Sequence, residues 1–388
     1  MTTTTPAPAT PGQGDAGTGP TITAVRAWVM RAPVDPPWQI ATVLYTHMHA
    51  TFVEVELSDG SVGWGECLVR EAPGATKAVV DEVFAPFLVG QDAGRVQGLW
   101  DEMWWLFRTR GHTRGIVVEA LAGVDIAIWD ALGRSSGQSI SRMLRGTGRA
   151  ELAAYASSVM VVDEAETTRQ VERLLADGYR AIKVKVGQDV ALDARRIHLT
   201  RELVGEDVEI MVDVNCNFST TQAIDFIGRI RQARVSWVEE PVLPDDLPGY
   251  RRIAAACPEV PLAAGEAEFT TAGFREFCEG KVLQVFQPDV ARAGGITGWL
   301  RIAALADAYG IPVAPHVGAS AGICAAASVQ VSAAVPNFRI YEHMYLEHPL
   351  QDCFVEGPIR PLDGTVQVPQ GPGLGLTVDT AKLDRLKA

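Results

Sequence analysis

Hydrophobic and polar positions follow one repeating pattern over the second half of the chain. From Glu151 onward, short apolar runs typical of strands are each followed by a segment with apolar residues at helical spacing. The strand-like runs are ELAAYASSV, AIKVKVG, EIMVDVN, SWVEEP, PLAAGE, LQVFQPD, PVAPHV and FRIYEHM. Alternating strands and helices predict a parallel sheet, and eight such units predict a closed (β/α)₈ barrel. A doubly wound open sheet is the alternative, but no GxGxxG or GxxxxGK[ST] loop follows any of these runs.

The first half of the chain has a different order of elements. TITAVRAWVM predicts a strand, and the stretch RAPVDPPWQIATVLYTHMHA predicts a loop because it contains three prolines. TFVEVELSDGSVGWGEC predicts two strands joined by a hairpin at Asp59-Gly60. Helical patterns then cover roughly residues 74–89, 93–107 and 113–132, and Gly133 is predicted to cap the last of these helices.

These patterns divide the chain into four parts. Residues 1–20 are rich in Thr, Pro, Gly and Ala without an apolar core, so we predict a disordered tail rather than a signal peptide. Residues 21–145 form an α+β unit and residues 146–348 form the barrel. Residues 349–388 are turn-rich with short strands, and we expect them to return to the first unit.

Composition narrows the class of protein. The chain has 388 residues, of which 47% are hydrophobic, and this is ample for a large core. A formal net charge of −13 argues against nucleic acid as a partner, and no apolar run approaches the length of a membrane helix. The six cysteines form no CxxC pair, so reduced and mostly buried thiols are expected. These features suit a cytoplasmic enzyme, for which we expect a homo-oligomer between a dimer and an octamer.

Ionisable residues stand at the ends of the predicted strands. In chain order they are Lys183 and Lys185, Asp213 with Asn215, Glu239 and Glu240, Glu266, Asp289, His316 and Glu342. A barrel brings the carboxyl ends of its strands into one ring, where barrel active sites lie. We therefore expect these side chains to be neighbours.

Three carboxylates in this ring predict a metal site. Asp213, Glu239 and Glu266 lie on consecutive strands with no cation on those strand ends. Converging anions need a counter-charge, and oxygen-only ligands favour Mg²⁺. The alternative is that each acid caps the helix after its strand.

The two lysines predict a general base. Lys183 and Lys185 alternate with Ile182 and Val184, so both point to one face of their strand. Each ammonium is expected to lower the pKa of the other, which would leave a neutral amine as a base. The alternative is an edge strand with both lysines in solvent.

His316 and Glu342 complete the predicted ring. Asp289 ends the strand before His316, and a carboxylate beside an imidazole fixes its tautomer and raises its basicity. Glu342 is a hydrogen-bond donor to an oxyanion if it is protonated, or else a helix cap.

The fragments KVK, DVN, WVEEP, GE, QPDVARAGGITGW and PHV, in this order and spacing, resemble the mandelate racemase subgroup of the enolase superfamily. The resemblance covers the chain from about Thr21. It implies an α+β capping domain over a modified TIM (β/α)7β-type barrel, Mg²⁺, and abstraction of the proton α to a carboxylate in a small-molecule substrate.

The resemblance also implies roles for single residues. Asp213, Glu239 and Glu266 would hold the metal, with Glu239 preferred over its neighbour in WVEEP. Lys185 would be one base and His316, paired with Asp289, the other. Lys183 would contact the substrate carboxylate, and Glu342 would stabilise the enolate.

The favoured reaction is dehydration of an acid sugar, an aldonate, uronate or aldarate, to a 2-keto-3-deoxy acid. A racemase, epimerase or cycloisomerase with the same residues is the alternative. A Schiff-base aldolase and a non-catalytic binding protein are less consistent with three metal ligands beside two bases. Candidate substrate contacts are Asn215, together with Trp38 and His47 in a predicted lid loop from about Ala32 to Ala50. Further polar candidates in the first unit are His49, Arg108, Arg110 and His112.

Overall fold

A computed structural model of the protein describes residues 19–388. Most of the predicted disordered tail, residues 1–18, lies outside the described residues. The capping domain begins with a three-stranded antiparallel sheet in the order β1-β2-β3. Its strands are β1 (Ile22–Gln39), β2 (Leu44–Leu57) and β3 (Val62–Leu68). The predicted hairpin at Asp59-Gly60 is confirmed, since it joins β2 to β3 with Gly60 at a φ of 86°.

The predicted lid loop is instead the tip of a long β-hairpin. β1 and β2 are paired as far as Gln39 opposite Leu44, and only residues 40–43 connect them. The register shifts between Pro33 and Trp38, where the two other prolines lie. Proline is tolerated at such an irregularity because no ladder hydrogen bond is required there. The prediction of a loop was therefore wrong, since strand pairing overrides the three prolines.

Helices of the capping domain pack on this sheet. They are α1 (Pro73–Val79), continued through a π turn (Val80–Phe84) into α2 (Ala85–Leu88), then α3 (Val96–Arg108), α4 (Ile116–Ser136) and α5 (Ile140–Arg145). The predicted cap at Gly133 was wrong, because α4 continues to Gly137, which has a φ of 68°. Gly133 instead allows close contact with the backbone of Gly373, where a Cβ would meet an atom at 2.5 Å.

The barrel strands are parallel and occur in the predicted order. They are β4 (Glu151–Val159), β5 (Ala181–Lys185), β6 (Glu209–Asp213), β7 (Trp237–Glu239), β8 (Leu262–Ala264), β9 (Val285–Phe286) and β10 (Tyr341–Met344). The intervening helices are α6 (Glu164–Ala176), α7 (Val190–Val204), α8 (Thr220–Ile230), α9 (Leu247–Ala256), α10 (Thr270–Gly280), α11 (Gly295–Ala308) and α12 (Gly322–Ala334).

The predicted strand PVAPHV closes the barrel through isolated bridges instead of a regular ladder. Val313 bridges Phe286 on one side and Phe338 on the other. Pro312 and Pro315 interrupt this segment, and proline has no N–H to donate to a ladder. The fold is a modified TIM barrel with an α+β capping domain.

The C-terminal residues contact both parts of the molecule. β11 (Thr365–Gln367) pairs antiparallel with β4, and α13 (Thr380–Asp384) follows it. The backbone N–H of Leu374 donates to Asp130 of α4 at 2.7 Å. All six cysteines are free thiols, and no helix in residues 19–388 is both long and apolar enough to cross a membrane.

Candidate active site

The barrel interior changes from apolar to polar within one strand period. One apolar layer takes a single residue from each of the eight barrel segments: Tyr155, Ala181, Met211, Trp237, Ala263, Val285, Ala314 and Ile340. Side chains alternate along a strand, so the residue two positions later faces the same interior. Those positions hold Ser157, Lys183, Asp213, Glu239, Gly265, Gln287, His316 and Glu342. The alternation of side chains along the strands therefore places a layer of mostly polar side chains directly above the apolar layer.

Glu266 enters this layer through a break in the strand period. It is preceded by Gly265, whose φ of 141° lies in a region that side chains rarely adopt. A Cβ at Gly265 would meet the ring of Phe274 at 2.8 Å, so only glycine fits. The unusual backbone lets Glu266 join the ring one residue later than its neighbours.

The three predicted metal ligands converge. One carboxylate oxygen of each of Asp213, Glu239 and Glu266 lies within 4.8 Å of the others. Burial, and then the neighbouring Asp213 carboxylate, raise the pKa of Glu239 to about 7. This oxygen-only donor set fits Mg²⁺.

Neighbouring groups hold these carboxylates in position. Glu239 Oε2 accepts hydrogen bonds from Gln287 Nε2 at 2.6 Å and from Trp237 Nε1 at 3.2 Å. Asp213 Oδ1 accepts from the backbone N–H of Asn215 at 2.8 Å. Asn215, a predicted substrate contact, therefore orients Asp213, one of the three predicted metal ligands.

Both lysines are buried inside the barrel, which excludes the alternative of a solvent-exposed edge strand. Lys183 Nζ lies 2.7 Å from Glu239 Oε1 and 2.7 Å from Glu342 Oε1. Its side chain is fully buried beneath the cavity, so its predicted contact with the substrate carboxylate stays a prediction. Lys185 Nζ forms an ion pair with Asp213 and lines the cavity above.

The predicted lowering of the Lys185 pKa is wrong for this arrangement. Burial does lower the pKa, and Lys183 adds to that effect, but the carboxylates of Asp213, Glu239 and Glu266 together outweigh them and the pKa is raised. The sequence spacing indicated that Lys183 lies beside Lys185, but it did not indicate the ion pair between Lys185 and Asp213.

His316 is held between two carboxylates. Its Nδ1 lies 2.7 Å from Asp289 Oδ2, and its Nε2 lies 3.1 Å from Glu266 Oε2. Burial opposes protonation, but Glu266, Glu342 and Asp289 outweigh it and raise the pKa of His316. Asp289 is fixed in turn by the backbone N–H of Ala291 at 2.8 Å. Asp289 therefore orients the imidazole, and the surrounding carboxylates favour its protonated form.

Glu342 is an ionised acceptor here. Its Oε2 accepts from the backbone N–H of Val317 at 2.6 Å and from that of Gly318 at 3.1 Å. Burial raises its pKa, but Lys183 and then His316 outweigh burial, so the net shift is downward. Both predicted forms, a protonated donor and a helix cap, disagree with this geometry. Glu342 holds the loop that follows His316.

A cavity of about 630 Å³ lies between the barrel mouth and the β1–β2 hairpin. Lys185, His316 and Glu266 reach it from the barrel, together with Asn215. Trp38, His47 and His49 reach it from the hairpin. Arg108, Arg110 and His112 lie at the exposed end of α3 and do not line this cavity. The structure thus places the candidate substrate contacts of the hairpin on the cavity wall, but not the candidates near the end of α3.

Sequence reasoning missed several residues of this site. Arg70 follows β3 and lines the cavity, with Nη2 3.5 Å from Glu266 Oε1 and Nη1 3.5 Å from the hydroxyl of Tyr45. No sequence pattern indicated that β3 ends at the barrel mouth. Gln287 could have been found, because it lies two residues after the apolar position Val285.

Family models and relatives agree with this architecture. Residues 22–145 match the mandelate racemase / muconate lactonizing enzyme N-terminal domain, and residues 166–382 match the enolase C-terminal domain-like family. The chain is 32% identical to D-galactarolactone cycloisomerase of Agrobacterium fabrum, over 94% of this chain and 98% of that protein. It is 31% identical to arabinonate dehydratase of Saccharolobus solfataricus, over 88% and 91% of the two chains.

A solved structure has the same fold. A racemase from Streptomyces coelicolor with bound magnesium superposes with a TM-score of 0.87 at 30% identity, over 95% of this chain and all of that one. The two matched domains occupy most of the described chain, and the ring of carboxylates, lysines and histidine lies within the second of them, in the barrel. The chain belongs to the mandelate racemase / muconate lactonizing enzyme family of the enolase superfamily.

Proposed function

We propose that this protein removes the proton α to the carboxylate of an acid sugar and eliminates a hydroxyl from the next carbon, giving a 2-keto-3-deoxy acid. Asp213, Glu239 and Glu266 would hold the Mg²⁺ ion that this reaction requires. The observation that carries the proposal is the pair of proton-transfer groups, Lys185 and His316, on the wall of one cavity beside these three carboxylates.

The first step is proton removal at C2. When bound, Mg²⁺ would supply positive charge where the carboxylate oxygens gain negative charge, and that charge makes such a weak carbon acid reactive. Lys185 is the base, and its ion pair with Asp213 now keeps it protonated. Sharing Asp213 with a divalent cation would weaken that ion pair and favour the neutral amine.

The second step is loss of the oxygen on C3. The electrons of the broken C2–H bond form the C2–C3 double bond, and the C3–O bond breaks as the oxygen takes a proton. His316 is the donor, because its two carboxylate neighbours raise its pKa and Asp289 orients it. The resulting enol then gains a proton at C3 and loses the proton of its C2 hydroxyl to solvent, which gives the 2-keto acid.

Cycloisomerisation is the second candidate, and one relative supports it. The 32%-identical protein that the chain matches over 98% of its length is a cycloisomerase. If the departing oxygen belongs to a ring of the substrate, the same elimination opens that ring and gives an isomer. Lys185 and His316 would then keep the same roles.

A substrate screen tests this proposal. Aldonic, uronic and aldaric acids and their lactones are incubated with the protein and Mg²⁺ in deuterated water. The mass of each product and the deuterium content at C2 of the recovered substrate are then measured. We expect a 2-keto product that has lost water and carries solvent deuterium at C3. A 2-keto product that is isomeric with its lactone substrate, apart from that deuterium, would select cycloisomerisation. Absence of both product and C2 exchange with every acid would contradict the proposal. Covalent trapping by borohydride would indicate a Schiff-base aldolase instead.

The hairpin tip is expected to act as a lid. Ile40, Thr42 and Val43 line the cavity, and Val43 is 43% exposed although it is apolar. Deleting Ala41 and Thr42 should lower kcat/KM by about 10- to 100-fold, because the tip positions substrate and excludes water. An equal shortening of the turn at Asp59-Gly60 serves as the control. An unchanged kcat/KM in the hairpin-tip variant would refute the lid role.

A further inference from the structure

The strand end that carries Lys185 lies beyond the ladder between β4 and β5. The last paired residues of that ladder are Val159 and Val184, and the register shifts just before them. Lys185 is the next residue of β5, and it is paired only on its other side, with Asp213 of β6. A general base must be placed accurately, because a displacement of about 1 Å can lower a rate by roughly 100-fold. The β4 side of this strand end therefore needs another way of being held in place.

Arg196 of α7 contacts the backbone on that side. Its Nη1 donates a hydrogen bond to the backbone carbonyl of Lys185 at 2.9 Å, and its Nη2 donates to the backbone carbonyl of Met160. Met160 directly follows β4, so one guanidinium joins the ends of two neighbouring strands. Its Nε donates to Thr167 Oγ1 at 3.1 Å, which fixes the plane of the guanidinium. The side chain of Arg196 thus takes the place of the missing ladder.

Asp193, one turn earlier on α7, holds the turn that follows β5. Its Oδ2 accepts hydrogen bonds from three successive backbone N–H groups, at 2.9 Å from Gly187, 2.9 Å from Gln188 and 3.1 Å from Asp189. The backbone is therefore fixed by α7 at Lys185 and again two residues later.

The burial of Arg196 indicates more than a packing contact. Its side chain is buried, and among residues 19–388 the one carboxylate within ion-pair distance is that of Asp193, at 3.6 Å. Burial lowers the pKa of Arg196 by more than Asp193 raises it. Placing a cation in the interior mainly against neutral carbonyl oxygens costs free energy. A role in fixing the strand end accounts for a charge at this position.

We infer that Arg196, together with Asp193, is a positioning residue for the reaction, because it fixes the strand end from which Lys185 takes the C2 proton. Arg196 does not line the cavity, so it acts through the backbone of Lys185 and not on the substrate. This inference rests on the proposed function, since that function makes Lys185 the base.

Arg201 provides a matched control on the same helix. It also donates to backbone carbonyls, through Nε to Ala233 at 2.9 Å and through Nη1 to Gly205 at 2.7 Å and Val208 at 2.8 Å. These carbonyls precede β6 and β7, so they lie at the end of the barrel opposite the mouth. Loss of either arginine leaves carbonyls without their donors, but only Arg196 contacts the strand end that holds the base.

The variants Arg196→Met and Arg201→Met separate positioning from stability. The probe is the acid with the fastest C2 exchange in the substrate screen, and kcat, KM and Tm are measured with Mg²⁺ below the Tm of both variants. We expect Arg196→Met to lower kcat for C2 exchange and for product formation by about 10- to 100-fold at little changed KM. Arg201→Met should keep the native kcat although its Tm falls. Equal kcat values in the two variants, or a loss in Arg196→Met confined to KM, would overturn the inference.

Arg196→Lys decides the inference if Arg196→Met does not fold. It keeps the positive charge, but an ammonium lacks the planar fork of donors that joins the two carbonyls. Its kcat should therefore still fall at little changed KM, and a native kcat in this variant would overturn the inference.

A measurement that does not depend on the reaction separates this inference from the proposed function. Backbone amide exchange at residues 187–189 is followed by mass spectrometry in the native protein and in both methionine variants. Faster exchange there in Arg196→Met than in Arg201→Met supports the hold on the strand end, and equal exchange refutes it. If no acid shows C2 exchange with the native protein, the proposed function fails, and the amide measurement still decides whether Arg196 fixes this strand end.

Discussion

Replacing Lys185 with alanine should abolish both hydrogen exchange at C2 and product formation. Lys185 is the amine of the cavity wall that stands beside Asp213, and without it no positioned base reaches the C2 proton on that side. General base catalysis contributes roughly 10²- to 10⁴-fold, so kcat/KM should fall by about that factor. Proton NMR in deuterated water measures the exchange directly. Lys77→Ala, in a surface ion pair of α1, is the control.

The His316→Asn variant gives the complementary result. It should lose dehydration, because no imidazolium remains to protonate the departing oxygen, but it should keep some C2 exchange through Lys185. If exchange is lost in His316→Asn and retained in Lys185→Ala, the two residues have the opposite roles. If neither variant loses activity, the mechanism is wrong.

The second large effect concerns the metal. Replacing a residue that only hydrogen-bonds to a metal ligand typically lowers metal affinity by roughly 10- to 100-fold. Glu239→Gln removes a ligand itself, so it should weaken Mg²⁺ binding by more than this. Lys183 keeps Glu342 as a partner at 2.7 Å in this variant, so the fold should survive. Calorimetric titration with Mg²⁺ and activity as a function of Mg²⁺ concentration measure the loss.

The adjacent residue provides a matched control. Glu240 is also buried and follows Glu239 directly, but its carboxylate is not part of the converging group and accepts from Cys216 Sγ at 3.2 Å. Glu240→Gln should therefore retain most of the Mg²⁺ affinity. Equal loss in the two variants would contradict the assignment of Glu239 as the ligand.

Sequence periodicity could predict the ring of catalytic candidates, because strand alternation and barrel closure bring strand ends together. The positions of Asp213 and His316 followed from that geometry, whereas the preference for Glu239 over Glu240 came from the resemblance to the mandelate racemase subgroup. The path of the β1–β2 hairpin could not be predicted, because its pairing overrides the local preference of three prolines. Arg70 was missed since its place depends on how the capping sheet meets the barrel.

Charge states were the least predictable property. Lys183 does lower the pKa of Lys185 as expected, but Asp213, Glu239 and Glu266 together raise it by more than burial and Lys183 lower it. Glu342 was considered as a protonated donor, yet Lys183 and two backbone N–H groups stabilise its charge. Both results depend on contacts between strands, which spacing along a chain does not specify.

Proton abstraction at C2 is expected to depend on a divalent cation held by Asp213, Glu239 and Glu266. The most direct test follows C2 deuterium incorporation into an acid-sugar substrate, first with EDTA-treated enzyme and then after addition of Mg²⁺. We predict no exchange before Mg²⁺ is added and full exchange afterwards. Exchange at the same rate in the presence of EDTA would contradict the account.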